Sequence, residues 1–596
     1  MGTNFWWHST EYIKKNHMFL QKITKKEHFK MPYSKESSSY VIACTSFPRW
    51  GFCQNCDLLQ LHKDSPPGEK GFFCKECTKG ARLLPARLVI VCKQGHLDDF
   101  PWNRWAHSDS NNPVPVCKEP KLYWKGGRHS GSISNFRVEC ANCGAKNTMF
   151  GATGKDGIQL YDEEKESFVP YSCTGELPWL QQQKQCKKTL DDGKQDDKQT
   201  ETAIGVIARA TSLYYSKIIR GIIIPQLAHP IVKYLQSEEC KTRIQAWRDA
   251  DIDDDKKIAE LILKGNNDFK EEGYTKEQIF DFMNKLDTRN SNQEVESEID
   301  LKKIEYEDLL NNKDWDEDKQ VEKEIVLKNI ELTDKMKEYF QDIRQLPILT
   351  ALEVPMYFTR LTPPGDVYSD NQNFHHNICQ LQVTGKTKFG QPMKRPNWLP
   401  CVIKKGEGIF LVFNKNFIKK CMTGEMKERL DSLVENHKIW EKESRWPSAV
   451  NIDPQYILLH SISHILIKEL ALQSGYNEAS MSERIYSSEN MCGLLIYTTS
   501  SGDGSLGGLV RQAEHNMMEI IENAFSKAKT CSRDPICILE DPKVKRRVLP
   551  LHLSQNGSAC YGCMLLPETS CENFNKMLDR KVLVDENFGM GNRILK

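Results

Sequence analysis

The clearest hydrophobic pattern in the chain lies between Asp453 and Gly475. Apolar residues recur there three or four positions apart, which is the spacing of one face of an α-helix. Asp453 can cap the N-terminus of this helix, Pro454 suits its first turn, and Gly475 can end it. The predicted apolar stripe consists of Ile457, Leu458, Ile462, Ile465, Leu466 and Leu470.

Short, continuous apolar runs elsewhere predict β-strands. These runs are Leu88–Val91, 401–403, 408–413 and 493–497. A glycine-rich turn at 501–508 follows the last run, and a second helix is predicted from there to about Lys529.

Residues 237–345 have a different character. They hold 31 acidic and 19 basic side chains, no proline and two glycines. Apolar residues such as Ile258, Leu261 and Ile262 keep helical spacing, so the segment is predicted to be an acidic helical insertion. Its charged surface either is simply solvated or serves to dock a partner or to mimic DNA.

The length of 596 residues indicates three or four domains, and 39% apolar residues can form real cores. The patterns predict an α+β multidomain protein with an N-terminal zinc-ribbon region and a C-terminal α/β domain that carries a cysteine cluster. The expected division is a basic arm at 1–40, a zinc-ribbon region at 41–190, a helical connector at 191–236, the acidic helical insertion at 237–345, a mixed α/β region at 346–450 and a C-terminal domain at 451–596.

Several compartments and classes are disfavoured by the sequence. No apolar run reaches the ~18–20 residues that cross a bilayer, and the first residues do not resemble a secretory signal. Many of the 21 cysteines come as C-x-x-C pairs in a long chain, which favours zinc in a reducing compartment over disulfides. We therefore expect a cytoplasmic protein with about three zinc ions.

The strongest of these patterns joins two C-x-x-C pairs, which can supply a tetrahedral four-thiolate zinc site. Its expected ligands are Cys53, Cys56, Cys74 and Cys77.

Two further sets are expected to bind zinc. One joins Cys140 and Cys143 to Cys173 and Cys186, although Cys117 also lies nearby. The other joins Cys560, Cys563 and Cys571 to Cys537, with Cys531 competing for the fourth place.

Two histidine patterns have a more ordinary interpretation. Cys92 and His96 could form a partial site with His107, but a buried cysteine and a packed histidine are favoured. His460 and His464 share one helix face at the spacing seen in zinc proteases. Because Ser461 stands where H-E-x-x-H requires glutamate, packing is favoured over zinc.

No segment builds an ATP site. The nearest phosphate-loop match ends in Gly385-Lys386-Thr387, and Gln380 replaces its first glycine. The N-terminal half does combine basic and aromatic residues, which suits nucleic acid as well as an ordinary solvated face over core tryptophans. The candidate DNA contacts are Trp102, Trp105, Lys121, Lys125 and Arg128.

Two longer stretches resemble the DrmB family of the bacterial DISARM anti-phage system. The first runs through Phe47-Pro48-Arg49-Trp50, the four-cysteine ribbon and Gly95-His96-Leu97-Asp98-Asp99-Phe100-Pro101-Trp102. The second includes His460-x3-His464, Gly475-Tyr476, Glu483-Arg484-Ile485-Tyr486, Leu506-Gly507-Gly508-Leu509-Val510-Arg511, the segment from Cys560 to Cys571, Phe574-Asn575 and Leu578-Asp579-Arg580. The C-terminal half is also similar to a cysteine-bearing domain of some DNA-repair helicases.

This resemblance implies a zinc-containing accessory subunit that partners a DrmA-like helicase, in a system with a DNA methyltransferase and a phospholipase-D-like protein. It supplies no catalytic residues. We expect a non-catalytic subunit that helps to bind DNA, at single strands or ends. The alternatives are a metal-dependent nuclease or hydrolase using His460, His464, Glu483 and Asp503, and a scaffold that never contacts DNA.

Overall fold

The structure is a computed structural model of the chain. The residues that it describes are 7–8, 28–32, 46–64, 71–77, 80–126, 133–154, 156–180, 182–189, 195–196, 198–222, 230–235, 237–271, 273–292, 298–311, 325–361, 376–377, 398–444, 452–498, 507–549 and 554–595.

The N-terminal region is built on a six-stranded antiparallel sheet. In spatial order its strands are Lys146–Thr148, Arg137–Cys140, Leu122–Lys125, Leu58–Leu61, Trp50–Cys53 and Leu83–Pro85. The helix Trp102–Ala106 contributes buried Trp102 and Trp105 to the core under this sheet. Aromatic residues fill much of that core, so a small sheet buries a large apolar area.

Smaller β-elements surround this sheet. The predicted strand Leu88–Val91 forms and lies between Ile204–Ile207 and Leu97–Asp99. Three hairpins pair Gln159–Asp162 with Ser167–Pro170, Glu176–Leu177 with Gln182–Gln183, and Lys188–Thr189 with Gln195–Asp196. A separate small sheet joins Trp7–His8, His28–Pro32 and Trp398–Pro400.

A seven-stranded antiparallel sheet, the large sheet, forms the core of the C-terminal half. Its main path runs through Tyr215–Ile222, Phe340–Thr359, Val402–Phe413, Cys492–Thr498 and Met481–Ser487, and Val326–Asn329 and His376–Asn377 pair with Phe340–Thr359. The predicted runs 401–403 and 408–413 thus fall almost entirely within one strand, and 493–497 lies inside another.

The helix Pro454–Ser474, which we call the central helix, packs on one face of the large sheet. Asp453 caps it through the N–H of Tyr456, and Gly475 ends it in the left-handed conformation, as predicted. Its burial is not limited to the predicted stripe, because His460, Ser461, Ser463 and His464 are also buried. The other helices of this half are Asp334–Tyr339, Lys415–Cys421, Gly424–Ser444, Gly508–His515, Met517–Ala528, Pro542–Val548, Lys581–Val584 and Gly591–Ile594.

The structure corrects the expected boundaries of the acidic insertion. The helices Pro230–Leu235, Glu238–Asp249, Asp255–Gly265, Asn267–Glu271 and Lys276–Asn292 share a core of their own. The next helix, Glu298–Asn311, instead packs against the large sheet, and Tyr306 and Leu309 join the core there. Residues 326–329 and 340–345 are themselves sheet strands, so 237–345 is not one peripheral unit.

The architecture is α+β, with several packed units, as the sequence predicts. None of the helices in the described part of the chain combines the length and apolarity that crossing a membrane requires.

Candidate metal centres

Five groups of side chains bring metal-ligand atoms together in the described part of the chain. Within each group the four ligand atoms lie within 4.8 Å of one another. We call them site 1 (Cys53, Cys56, Cys74, Cys77), site 2 (Cys92, His96, Cys173, Cys186), site 3 (His107, Cys117, Cys140, Cys143), site 4 (Cys531, Cys537, Cys560, Cys563) and site 5 (His460, His464, Glu483, Cys571).

The spacing of the sulfur atoms fits zinc. A Zn–S bond of about 2.3 Å places tetrahedral sulfurs about 3.8 Å apart, whereas a disulfide brings them to about 2.05 Å. In site 1 the Sγ atoms of Cys53 and Cys77 lie 3.7 Å apart, and those of Cys56 and Cys74 lie 3.6 Å apart. None of the described cysteines forms a disulfide.

Site 1 contains all four residues expected from the two C-x-x-C pairs. Cys53 ends the strand Trp50–Cys53, and the chain then turns back so that the N–H of Asn55 points at the Cys53 sulfur, 3.4 Å away. Such N–H groups stabilise a thiolate. The site closes one end of the six-stranded sheet, and its cysteines form a small core with Leu58 and Leu83.

Site 2 joins Cys92 and His96 to Cys173 and Cys186. The sulfur of Cys92 lies 3.8 Å from that of Cys186 and 3.4 Å from Nδ1 of His96. Gly95, within the same turn, accepts a hydrogen bond of 3.0 Å from Arg360, which follows a strand of the large sheet. This site therefore lies where the N-terminal region meets the C-terminal half.

Site 3 completes the Cys140-x2-Cys143 pair with His107 and Cys117. Nε2 of His107 lies 3.2 Å from the Cys143 sulfur, and the Cys117 and Cys140 sulfurs lie 3.6 Å apart. Nδ1–H of His107 donates to the carbonyl of Asn103 at 2.6 Å, which leaves Nε2 free to bind a metal. Gly144 follows with φ +77°, a turn that favours glycine.

Site 4 lies in the C-terminal domain. The Cys531–Cys560, Cys537–Cys563 and Cys560–Cys563 sulfur distances are 3.4, 3.7 and 3.6 Å. Arg580 fixes the loop that holds Cys531 by donating to Asp534 and to the Ala528 carbonyl.

Site 5 combines different donors in the core between the central helix and the large sheet. Nε2 of His460 lies 3.2 Å from the Cys571 sulfur and 3.1 Å from Oε1 of Glu483. Nε2 of His464 lies 3.5 Å from the same Oε1. All four side chains are at most 4% exposed.

Burial and charge act in opposite directions within site 5. Burial raises the pKa of the Glu483 carboxyl, but the neighbouring His460 and His464 outweigh it and hold that pKa well below its usual range. Burial also raises the pKa of the Cys571 thiol well above its usual value.

The structure regroups several predicted ligands. The expected set of Cys140, Cys143, Cys173 and Cys186 is divided between sites 3 and 2, because Cys117 and His107 lie beside the first pair and Cys92 and His96 beside the second. Cys531 occupies the place expected for Cys571, which the chain carries to His460 instead.

In the described part of the chain the fold brings together more candidate groups than the sequence predicted, and histidine contributes to three of them. Five groups stand against about three expected zinc ions. Cys117, Cys531 and the Cys92-x3-His96 pattern were visible signals in the sequence. His107 was considered with Cys92 and His96, and the fold places it with Cys140 and Cys143 instead. Glu483 was considered with the two histidines of the central helix, and the fold adds Cys571 to that group.

The structure places the candidate DNA contacts in two different environments, the core and the surface. Trp102 and Trp105 are 1% and 4% exposed, so the expectation that they stack on bases is corrected: they are core residues. Lys121 and Lys125 are partly exposed and pair with Glu76 at 2.6 Å and Asp57 at 3.5 Å. Arg128 lies outside the described residues.

Comparisons with known proteins agree with this zinc-rich arrangement. Residues 1–215 match a family described as a domain of unknown function (DUF8724), and residues 462–564 match the MrfA Zn-binding domain. The second match contains all four cysteines of site 4. A solved structure of the DUF1998 helicase MrfA bound to DNA aligns at 11% identity over 46% of this chain and 25% of that chain, with a TM-score of 0.18.

Similarity to one curated protein extends along nearly the whole chain. The DISARM protein DrmB of Bacillus paralicheniformis is 30% identical over 582 residues, which cover 95% of this chain and 92% of that protein. The chain therefore belongs to the DrmB family of DISARM proteins.

Proposed function

We propose that the chain is a non-catalytic, zinc-stabilised accessory subunit of a DISARM-type anti-phage complex, in which it binds a DrmA-like helicase and contributes contacts to DNA. The observation that carries this proposal is similarity to a DISARM protein over 95% of the chain. A match confined to a zinc motif would mean little, because unrelated proteins use the same motifs. This match extends far beyond the motifs.

The donor sets of the five sites support a structural role for metal. A hydrolytic zinc site keeps an open position for water, whereas a structural site receives four ligands from the protein. Each site here offers four protein donors. The hydrolase alternative requires an open site at His460, His464 and Glu483, but Cys571 lies in contact with His460 there. Asp503, its fourth residue, lies outside the described residues.

Contacts to DNA would come from Lys121 and Lys125, together with Arg128. The two lysine side chains are 39% and 37% exposed, and their ion pairs with Glu76 and Asp57 lie at the surface. Ion pairs at the surface contribute little to stability because solvent screens them, so a phosphate can replace the carboxylate. Because Trp102 and Trp105 are buried, DNA binding would depend on contacts to the phosphate backbone. The expected preference for single strands rested on stacking by these two tryptophans, and it is no longer supported.

Co-purification with a DrmA-like helicase from the same source tests the proposal. At micromolar concentration the two proteins should elute as one complex, and the helicase should hydrolyse ATP with a different DNA dependence in that complex. The chain alone should hydrolyse no ATP and cut no DNA with Mg²⁺ or Mn²⁺. Failure to associate would contradict the subunit role, and DNA cleavage by the chain alone would favour the hydrolase. A stable complex without any DNA binding by the chain would indicate the scaffold.

A further inference from the structure

We propose that site 5 is a fifth zinc centre, buried in the C-terminal core and formed by His460, His464, Glu483 and Cys571. Two imidazoles, a carboxylate and a thiolate are all donors that zinc accepts. In a tetrahedron, Zn–N and Zn–S bonds of about 2.0 and 2.3 Å place nitrogen and sulfur about 3.5 Å apart. The observed separations from His460 and His464 to their neighbours are 3.1–3.5 Å.

The hydrogen bond on the far side of His464 fixes which ring nitrogen faces the site. Nδ1 lies 2.8 Å from the carbonyl oxygen of Met564, which can only accept, so Nδ1 carries the proton. In the neutral ring the lone pair is then on Nε2, which faces Oε1 of Glu483. This arrangement, in which a backbone carbonyl orients the outer nitrogen, is the usual one for histidines that bind zinc.

Without a cation, two acceptors face each other in the core. Nε2 of His464 and Oε2 of Glu483 are buried and have no hydrogen-bond partner in the described part of the chain. Buried polar atoms rarely stay unpaired, and each unpaired one costs about 1–3 kcal/mol. Oε1 of Glu483, the oxygen that faces Nε2, already accepts from the N–H of Glu572 at 3.1 Å. A divalent cation between the imidazole and the carboxylate gives the lone pair of Nε2 the partner that it lacks.

The loop around Cys571 is shaped like those at the other sites. The N–H of Asn573 points at the Cys571 sulfur at 3.3 Å, two residues along the chain. The same contact recurs at Cys53, Cys173 and Cys531 in sites 1, 2 and 4. The loop then adopts positive φ at Phe574 and Asn575, and a second N–H, that of Asn575, reaches the sulfur at 3.2 Å.

The centre would tie three segments together. His460 and His464 lie on the central helix, Glu483 on the strand Met481–Ser487 and Cys571 on the C-terminal loop. All four positions are filled by protein, and the side chains are buried, so this zinc would hold the core together and would not activate water. The favoured packing interpretation of the two histidines gives way to this assignment.

Zinc content of the purified full-length chain tests the assignment. The wild-type chain should hold about five zinc ions, and Cys571→Ala and Glu483→Gln should each hold one fewer. Cys492→Ala is the matched control, because Cys492 is a buried cysteine of the same core that belongs to none of the five sites. It should keep the wild-type zinc content.

The proposal is overturned if folded Cys571→Ala keeps the wild-type content, or if an equivalent of iron or manganese replaces the fifth zinc. If Cys571→Ala does not fold, X-ray absorption on the wild-type chain decides. Five filled sites give an average of about 3.0 sulfur ligands per zinc, whereas sites 1 to 4 alone give about 3.5. The higher value would exclude site 5.

Discussion

Arg484 donates a hydrogen bond from Nε to the carboxylate of Glu305, and both side chains are almost wholly buried. Glu305 also accepts from the N–H of Ile222 at 3.0 Å and from the hydroxyl of Tyr486 at 3.3 Å. One carboxylate thus joins the helix Glu298–Asn311 to two strands of the large sheet. The neighbouring Glu483 points to the opposite face, toward site 5, as alternation along a strand requires.

Replacing Glu305 should destabilise the C-terminal half strongly. In Glu305→Ala the buried guanidinium of Arg484 loses its hydrogen-bonded carboxylate and keeps only Glu298, at 3.9 Å. Breaking a buried ion pair typically costs about 3–5 kcal/mol. Calorimetric unfolding should show the loss in the transition of the C-terminal half. Glu277→Ala removes an exposed carboxylate from the insertion and should change stability by less than about 0.5 kcal/mol. Equal effects of the two substitutions would mean that the buried ion pair contributes little.

Two deletions separate the peripheral helices from the part that belongs to the sheet. Replacing 237–292 with a short linker should leave a soluble, zinc-loaded protein, because most of the residues in that separate core are removed together. Deleting 237–345 should cause aggregation, since it removes Glu305 and the strand Val326–Asn329. Solubility and zinc content measure both outcomes. A soluble, zinc-loaded protein after the longer deletion would show that the helix Glu298–Asn311 is dispensable.

Local patterns predicted the local structure well. The central helix and its caps follow from Asp453, Pro454 and Gly475, because capping depends on neighbouring residues only. The predicted helix after the glycine-rich turn is interrupted at Asn516, between Gly508–His515 and Met517–Ala528. The helix Glu298–Asn311 is as rich in acidic residues as the peripheral helices, so charge composition could not show that it packs against the large sheet. Some of its acidic residues, such as Glu305 and Asp308, are in fact buried there.

The metal sites also divide into a local part that the sequence predicts and a tertiary part that it does not. A C-x-x-C pair predicts a turn that holds two ligands, but not which distant residues complete the site. Cys571 follows Cys563 by eight positions in sequence, yet it lies beside His460 on the central helix. Such pairings depend on the tertiary fold and could not be read from spacing.

Double substitutions can establish which ligands share a zinc ion. Cys140→Ser should lose about one zinc, and adding His107→Ala should lose no more, because both residues belong to site 3. Adding Cys173→Ser to Cys140→Ser should instead remove a second zinc, that of site 2. The grouping is contradicted if the second pair loses only one zinc. Elemental analysis of folded material provides the count.

Loss of zinc from site 1 or site 4 should cause misfolding more than a clean loss of one activity. Zinc binding to such sites is part of the folding free energy, about 10–16 kcal/mol in small zinc domains. Cys53→Ser and Cys563→Ser should therefore reduce the soluble yield and increase cleavage by protease, with Cys421→Ser, a buried cysteine outside all five sites, as control. Wild-type chain treated with a strong chelator should become equally sensitive to protease. Resistance after complete zinc removal would mean that the fold does not need the metal.

Removing three basic residues tests the DNA surface. Lys121, Lys125 and Arg128 replaced together by alanine should weaken DNA binding with zinc content unchanged. Each lost phosphate contact should also reduce the slope of log affinity against log salt by roughly 0.9 for duplex DNA. Replacing Lys256, Lys257 and Lys264 removes the same charge from an exposed helix of the insertion and serves as control.

Fluorescence anisotropy with a labelled duplex and the matching single strand, from 50 to 200 mM salt, measures both the affinity and its salt dependence. Because Trp102 and Trp105 are buried, the affinity should fall for both DNAs, with a slope change of roughly 0.7 per contact for the single strand. A loss confined to single-strand binding would show that exposed aromatic residues elsewhere take part. Equal weakening by both triple variants would indicate that only net charge matters, and this face would then have no particular role in binding DNA.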